Sequence, residues 1–404
     1  MADRTGIEWT DATWNPIVGC SVVSPGCTNC YAMRQASRIA LMAAGAGQVS
    51  HYAGTTQPSK AGPVWTGRMK LAPESILTQP LRWRRPRKIF VNSMGDLFHE
   101  DVPDEWIDRV FAIMALTPQH TYQVLTKRSA RMRAYMAGHE SKIPYLGRMP
   151  LERVHLEAAA HMEGDGGYMD ALKRAGNIYS LYLDAPWPLP NVWLGVSAED
   201  QRRANERVPD LLATPAAVRF ISGEPLLGLV DLTRIDIDGE SEMDALNPSM
   251  WLDEIQRWRG SSDTWEEDFL DWFGLHEMPD GGKIHPTLDL VIVGGENGPR
   301  PMNPEWARAL RDQCAAAGTA FFFKQWGSWA PGEWTFDLDD HLHFTPDDDA
   351  VPVKGLNLAG ADARMIWSAQ NRTPEGRGFL NVGKRAAGRR LDGVEHNAMP
   401  QVRS

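Results

Sequence analysis

The sequence predicts an α/β protein built on a parallel (β/α) barrel, partial or full and TIM-like, with about six strands. Short apolar strands alternate with helix-like segments along the chain, and strands joined by helical crossovers run parallel. Polar residues or glycine follow each of these strands. Because the carboxyl ends of the strands in a parallel barrel share one face, the sequence predicts a binding site on that face.

The apolar runs define the elements in order. The first strand is predicted at Ile89–Val91, before a helix in which Trp106, Val110 and Met114 recur at helical spacing and Asp104 acts as the cap. The next strands are predicted in TYQVLT, NVWLGVS, VRFISG, LDLVIVGG and AFFFKQ, and further helices in QRRANERVPDLL and PEWARALRDQCAAAG. This succession is typical of βαβ units.

The barrel domain is predicted to span residues 1–330, and residues 331–404 form a C-terminal extension packed on it. Insertions near 138–190 and 233–287 interrupt the strand–helix pattern. The second insertion carries four tryptophans at seven-residue steps, on one face of a predicted helix: Trp251, Trp258, Trp265 and Trp272. This helix either packs on the barrel or covers the substrate as a lid.

Composition and charge narrow the class of protein. Of the 404 residues, 43% are hydrophobic and 23% are charged, which is ordinary for a soluble globular enzyme. The net charge of −10 excludes attraction of nucleic acid through bulk charge. The chain offers neither an apolar signal segment nor an apolar run long enough for a membrane helix, so it is predicted to be cytoplasmic, with no membrane partner.

Three of the four cysteines lie in one short segment, GCSVVSPGCTNCYA. Cys20, Cys27 and Cys30 share this loop, whereas Cys314 lies far away in a predicted helix. Three thiolates on one loop suit a metal or an iron–sulfur cluster. Because structural zinc normally takes four protein ligands, a set of three predicts an open coordination position for another molecule.

Two other uses of these cysteines stay open. A disulfide between two of them is disfavoured in a reducing compartment. Zinc held by the three thiolates would need a distant histidine to complete its ligand set, and the candidates are His51, His99 and His343.

Side chains at the predicted strand ends are the other candidate site residues. Glu224 and Lys324 are candidate catalytic residues, and candidate substrate contacts are Glu296, Gln325 and Trp326. A basic run near the C-terminus, GKRAAGRR, adds four further candidates for substrate binding: Lys384, Arg385, Arg389 and Arg390. These cations either meet phosphate groups or form a solvated surface.

The cysteine loop, followed by the strand–helix series, resembles the radical S-adenosylmethionine (SAM) superfamily. The usual superfamily motif is Cys-x3-Cys-x2-Cys; here six residues separate the first two cysteines, and the second spacing is that of the superfamily. The whole chain is similar to an uncharacterised phage and prophage protein family whose genes often lie beside that of a three-cysteine-motif partner protein. Its gross plan resembles spore photoproduct lyase. The family's marks here include WNPIVGCSVVSPGCTNCYA, NSMGDLFHEDVP, VLTKR, VWLGVSAEDQ, GEPLLG, VIVGGENGPRPM, FFFKQWG and VGKRAAGRRLDG.

The resemblance implies that the three cysteines hold a [4Fe–4S] cluster and that SAM binds its fourth iron. A donor such as flavodoxin or ferredoxin would reduce the cluster, which would cleave SAM to a 5′-deoxyadenosyl radical. By position, Tyr31 would lie near the adenine, and Lys127 or Arg128 would pair with the methionyl carboxylate. The methionyl amino group would meet Asn92, Ser93 and Asp96, and the ribose would meet Ser197 or Glu199.

The substrate expected from the resemblance is a nucleic-acid base or a nucleotide, for modification or repair. A radical SAM enzyme acting on a peptide or a small metabolite is one alternative. The other is a zinc-binding module without catalytic activity that serves a partner protein.

Overall fold

The structure is a computed structural model that describes residues 5–138, 154, 187–237, 239, 242–247, 287–336, 342–348 and 377–400. Both predicted insertions lie largely outside the described residues. The four tryptophans at seven-residue steps lie wholly outside them.

The central element is a seven-stranded sheet in which every neighbouring pair of strands is parallel. Its strands, in spatial order, are β1 (Ala12–Trp14), β6 (Lys88–Val91), β7 (Thr121–Thr126), β8 (Val192–Ser197), β9 (Val218–Gly223), β12 (Leu290–Gly294) and β13 (Ala320–Gln325). The spatial order follows the chain order without reversal, and β1 and β13 are the two edges. The curled sheet is therefore an open half-barrel.

The sheet has one strand more than the six expected from the sequence. All six expected strands are present, and the additional one is β1, which has only three residues. A three-residue strand is too short to show the alternation that identifies strands in a sequence.

The described helices are α1 (Tyr31–Gly45), α2 (Glu74–Leu77), α3 (Asp104–Ala115), α4 (Ser129–Ala137), α5 (Gln201–Leu212), α6 (Pro304–Ala317) and α7 (Lys384–Ala387), with 3-10 turns at Pro25–Cys27 and Gln79–Arg82. The prediction that Asp104 caps α3 was wrong. The cap position is Pro103, and Asp104 is the first helical residue, where its carboxylate pairs with Arg131 on α4.

The two faces of the sheet pack differently, as strand alternation requires. Odd positions of β6 and β12, such as Ile89 and Val291, join the large core that contains the helices. Even-numbered residues of the same strands, such as Phe90 and Ile292, face the opposite, concave side and pack there with Trp9 from the N-terminal segment. That concave cluster consists of Trp9, Phe90, Trp193, Val218, Phe220, Leu290, Ile292 and Phe322.

Smaller antiparallel sheets surround the half-barrel: β2 (Ile17–Val18) with β5 (Lys70–Leu71), β3 (Thr56–Ser59) with β4 (Gly62–Trp65), β10 (Ile235–Asp236) with β11 (Glu242–Met243), and β14 (Trp329–Phe336) between β15 (Leu342–Pro346) and β16 (Arg377–Asn381). The C-terminal segment lies against the edge strand β13, where Asn397 forms a bridge with Phe322. Within the described residues, the structure contains no helix with the length and apolar character needed to span a membrane.

Candidate functional site

The three clustered cysteines lie on the connection from β1 to α1, here called the cysteine loop (residues 20–30). Cys27 ends the 3-10 turn, and Cys30 is the residue immediately before α1. The N–H of Cys27 donates to Ser24 O at 2.9 Å, and the N–H of Cys30 donates to Cys27 O at 3.2 Å. Consecutive tight turns therefore bring two of the thiols to neighbouring positions.

Each thiol of the loop has a hydrogen-bond donor beside it. Burial raises the pKa of Cys20 to about 12, although the Arg128 guanidinium acts against this rise. Burial also raises the pKa of Cys30, against the backbone N–H groups of Ala32 and Met33.

The pKa of Cys27 shifts in the opposite direction. Burial alone would raise its pKa, but the charge of Lys127 and hydrogen bonds from Val23 and Ser24 lower it below the usual range. No disulfide forms among the four cysteines, and Cys314 lies on the buried side of α6, in the large core.

Arg128, which follows β7, anchors the first part of the loop. Its Nη1 lies 3.5 Å from Cys20 Sγ, and its Nη2 donates to Ser21 Oγ at 2.6 Å and to Ser21 O at 3.3 Å. Asp96, 4% exposed, accepts from Arg128 Nη1 at 2.9 Å. Both residues were expected to contact SAM; here they contact each other, and Arg128 also contacts the loop.

A second anchor joins the middle of the loop to the ends of β7 and β8. Lys127 Nζ lies 3.0 Å from Glu199 Oε2 and 3.2 Å from Ser24 Oγ. Glu199, 1% exposed, also accepts from Arg207 at 3.0 Å and from the N–H of Gly26 at 3.3 Å. A Cβ on Gly26 would lie 2.9 Å from Glu199 Oε1, so glycine permits this close approach.

The charge environment explains why Glu199 stays ionised. Burial alone would raise its pKa, but Lys127 and Arg207, with hydrogen bonds from Ser24 and Lys127, lower the pKa to about 2. The carboxylate is thus one member of a buried charge network beneath the cysteine loop.

The third anchor comes from the loop after β12. Glu296 Oε1 accepts from Asn29 Nδ2 at 3.0 Å, and its Oε2 pairs with Arg300 Nη2 at 2.6 Å. Arg300 Nη1 donates to Pro25 O at 3.1 Å. Glu296 was expected to contact substrate; the structure instead places it against the loop that carries the cysteines.

The end of β6 positions the residues next to Tyr31. Asn92 has a φ of 56°, and its Oδ1 accepts from the N–H of Ile17 at 3.2 Å, which leaves its buried Nδ2 without a partner among the described residues. Ser93 donates to Asn15 at 3.1 Å, and its carbonyl accepts from the Tyr31 hydroxyl at 3.2 Å.

Glu224 and Lys324 meet on the concave side of the sheet, across β12. Lys324 Nζ lies 3.0 Å from Glu224 Oε1, but the approach does not make a hydrogen bond, and Ser222 Oγ donates to Oε2 at 3.2 Å. A Cβ on Gly294 would lie 2.8 Å from Glu224 Oε1, so the absence of a side chain there leaves room for the carboxylate.

Tyr31 links this pair to the cysteine loop. Burial of its hydroxyl raises its pKa, and the charges of Cys30 and Glu224 raise it further. Yet Tyr31 is 57% exposed. Tyr31 is thus a partly exposed side chain beside the cysteine loop, and its hydroxyl is held by the carbonyl of Ser93.

The remaining candidates at the strand ends are buried side chains: Ser197, Gln325 and Trp326. Ser197 lies on the concave side in register with Ser222, and its carbonyl accepts from Arg207. Gln325 alternates onto the same side as Phe323, toward the helices. Trp326 is packed in the core, with its indole N–H donating to Arg390 O at 2.8 Å.

The C-terminal basic cluster is largely paired with acids. Lys384 lies 3.0 Å from Glu8, Arg389 lies 3.9 Å from Glu395, and Arg390 lies 3.8 Å from Asp348. Arg385 is exposed and has no ion pair within the described part of the chain. Three of these four cations therefore lie close to carboxylates of the protein.

The donors around the loop fit a thiolate-bound cluster. Each of the three sulfurs has an N–H or O–H neighbour that favours the thiolate, although burial outweighs these donors at Cys20 and Cys30. Thiolates are the usual ligands of iron–sulfur clusters. Among the described residues, no three Cys, His, Asp or Glu side chains converge tightly enough to hold a single metal ion. His99 contacts the loop, with Nε2 2.9 Å from Ser21 Oγ.

Sequence reasoning missed several anchoring residues. Arg207 lies on the buried side of α5, Arg300 lies in the segment GGENGPRP, and Asn29 lies between two of the cysteines. Asn29 could have been recognised from its position between Cys27 and Cys30. Arg207 and Arg300 carried no local pattern that separates them from ordinary helix and turn residues.

The fold and the site define the class as an α/β half-barrel protein with a cysteine loop at the carboxyl edge of its parallel sheet. Within that class, the chain belongs to the family described as Protein of unknown function (DUF5131), which matches residues 4–400. No curated protein and no solved structure matches the chain.

Proposed function

We propose that the half-barrel is a TIM-like partial barrel and that the protein is a radical SAM enzyme whose cluster is held by Cys20, Cys27 and Cys30. The observation that carries the proposal is the position of the cysteine loop. It follows the first strand and is anchored to the carboxyl ends of the sheet at three places, where parallel α/β sheets carry their active sites.

The protein residues have separable roles in this proposal. The three thiolates would hold a [4Fe–4S] cluster, which would supply the one-electron reduction that cleaves SAM. Tyr31 lies partly exposed beside the loop, and Glu224 and Lys324 form a charged pair on the concave side of the sheet, where they would orient a polar substrate. Asn92 offers a buried amide N–H that has no partner among the described residues.

Anaerobic reconstitution with iron and sulfide tests the proposal. We expect about one [4Fe–4S] cluster per chain, loss of the cluster in Cys27→Ala, and an unchanged cluster in the matched control Cys314→Ala, because Cys314 is buried far from the loop. With SAM and dithionite, the reconstituted protein should release 5′-deoxyadenosine. A full cluster in Cys27→Ala would overturn the ligand assignment.

One observation favours a second candidate, a zinc-binding module that serves a partner protein. His99 lies against Ser21, the neighbour of Cys20, and a neutral imidazole is a common zinc ligand. Metal analysis of protein purified without oxygen separates the two. Iron with sulfide supports the radical SAM enzyme, whereas zinc alone, lost in His99→Ala, supports the module.

For the substrate we propose a nucleic-acid base or a nucleotide, as the resemblance implies. A peptide or a small metabolite is the alternative, and a three-cysteine-motif protein remains the proposed partner. The polar groups of Ser222, Glu224 and Lys324 suit a hydrogen-bonding heterocycle. Screening for substrate-dependent consumption of SAM, first with nucleotides and oligonucleotides and then with peptides, distinguishes these classes.

A further inference from the structure

The guanidinium of Arg128 is committed to its protein neighbours. Nη1 meets Asp96 Oδ2 and Cys20 Sγ, and Nη2 meets both oxygens of Ser21. The side chain is only 3% exposed. A ligand carboxylate could bind Nη1 or Nη2 only after one of these contacts had broken. At Nε, which makes no hydrogen bond among the described residues, it would meet the Glu100 carboxylate 3.5 Å away.

The carboxylate of Asp96 is equally constrained. Its Oδ1 accepts from Thr126 Oγ1 at 2.6 Å and from the N–H of Phe98 at 3.1 Å, and its Oδ2 accepts from the N–H of Lys127 at 3.2 Å. These donors come from the end of β7 and the segment after β6. The guanidinium is therefore held against the cysteine loop by the rigid part of the sheet.

The contact at Cys20 has a chemical consequence once a cluster is bound. Arginine keeps its charge at any physiological pH. A permanent cation and an N–H donor at a ligating sulfur stabilise the reduced, more negative state of an iron–sulfur cluster, because hydrogen bonds to sulfur and local charge set its potential.

We propose that Arg128, fixed by Asp96, is the positioning residue for Cys20 and raises the reduction potential of the cluster, and that it does not bind the methionyl carboxylate of SAM. This inference revises the role expected from the sequence. The statements about the reduction potential and about SAM rest on the proposed function, whereas the positioning of Cys20 does not.

The first test uses the metal-free protein. Hydrogen–deuterium exchange of peptides covering residues 19–24 should be at least about tenfold faster in Arg128→Gln than in the wild type, because the loop loses the donors to Ser21 and Cys20. The matched control is Arg133→Gln on α4, the helix that begins directly after Arg128, since Arg133 pairs with Asp210 and is 42% exposed. Equal exchange in Arg128→Gln and the wild type would overturn the positioning role.

Ser21→Ala keeps the exchange test decisive if Arg128→Gln does not fold. It removes the hydroxyl that accepts from Arg128 and leaves the buried charge pair intact. We expect faster exchange in this variant as well, and unchanged exchange would count against the proposal.

The second test uses the reconstituted protein. The midpoint potential, followed by electron paramagnetic resonance, should become more negative in Arg128→Gln and recover in part in Arg128→Lys, which keeps the charge without the planar fork. SAM affinity should stay within about twofold of the wild type, whereas a loss of about tenfold or more, expected for a lost charged hydrogen bond, would instead assign Arg128 to the carboxylate. If the wild type binds no cluster, the proposed function fails, while the exchange data still decide the positioning role.

Discussion

At the scale of single residues, the charged groups beneath the cysteine loop act on the loop. Glu199 and Glu296 each accept from a loop residue and from an arginine, and Arg128 contacts Cys20 and Ser21 directly. A buried charge is tolerated only when partners and hydrogen bonds compensate its desolvation. The loop supplies some of those hydrogen bonds, so its conformation and the charge network depend on each other.

Glu199→Gln should lower the stability of the metal-free protein at pH 7 by about 3 kcal/mol, because Lys127 and Arg207 lose their shared buried partner. The pKa of Glu199 is depressed from 4.5 to about 2 in the folded state. A depressed carboxyl pKa contributes stability that is complete above the unfolded pKa and is lost as pH falls through the folded pKa. The difference between wild type and variant should therefore shrink between pH 4.5 and about pH 2.

Urea unfolding as a function of pH measures this difference. The control is Glu206→Gln on α5, the helix that follows Glu199, because Glu206 is 45% exposed in a surface pair with Arg202 and should change stability by less than about 1 kcal/mol. A gap between wild type and Glu199→Gln that stays constant from pH 5 to pH 2 would contradict the assigned pKa.

Gly26→Ala should destabilise the contact between the loop and the charge network by about 1–3 kcal/mol. The new Cβ would lie 2.9 Å from Glu199 Oε1 and 3.0 Å from Lys127 Nζ, and those atoms are held by the buried ion pair. Thermal unfolding of the metal-free variant measures the effect. Gly45→Ala, where a Cβ meets nothing within 4 Å, should leave stability near that of the wild type.

At the scale of the elements, the concave face of the sheet changes from apolar to polar along its strands. Its amino-terminal half is apolar, with Trp9 packed at 4.7 Å from Phe90 and at 6.2 Å from Phe220 between ring centroids. Toward the carboxyl ends the same face carries Ser197 and Lys324. Alternation along parallel strands thus yields an apolar floor and a polar rim.

Gly195→Ala in β8 should destabilise the sheet by about 1–3 kcal/mol through overpacking. A Cβ at this position would lie 2.6 Å from three atoms of the Phe220 ring in the neighbouring strand, and Phe220 is fully buried. In urea unfolding, adding Phe220→Leu to Gly195→Ala should recover part of the loss, because the ring that clashes is gone. If the two substitutions lower the free energy of unfolding additively, the contact between the new Cβ and the Phe220 ring is not the cause of the loss.

At the scale of the whole molecule, the C-terminal basic cluster belongs to a protein that is acidic overall. The chain carries a net charge of −10. Lys384, Arg389 and Arg390 each lie within 4 Å of a carboxylate. This pairing reduces the positive potential that the cluster presents to a polyanion.

Binding of labelled single-stranded DNA should accordingly weaken as salt rises, with a shallow slope, because few phosphates are neutralised. Arg385→Glu alone should produce most of the loss seen when all four cations are reversed, since Arg385 is the member of the cluster without an ion pair among the described residues. Fluorescence anisotropy at several salt concentrations measures both effects. An absence of binding at low salt would restrict the substrate to a nucleotide or a small molecule.

The sequence by itself determined most of the parallel sheet of this protein. Apolar runs such as VRFISG identified all six longer strands of the sheet, because period and residue type report whether a segment is a buried strand. The polar residues at the strand ends were also recognised as one set, since parallel strands bring their carboxyl ends together. The three-residue β1 escaped detection because it is too short for a pattern.

Only the tertiary structure decided what those polar residues contact. Arg128 meets Cys20 across 108 positions of the chain, and Glu296 meets Asn29 across 267. No local pattern encodes such pairs. A strand-end carboxylate reads the same in the sequence whether it faces a ligand or a loop, because its partner depends on where the chain returns in space, and here the cysteine loop returns over the ends of β7, β8 and β12.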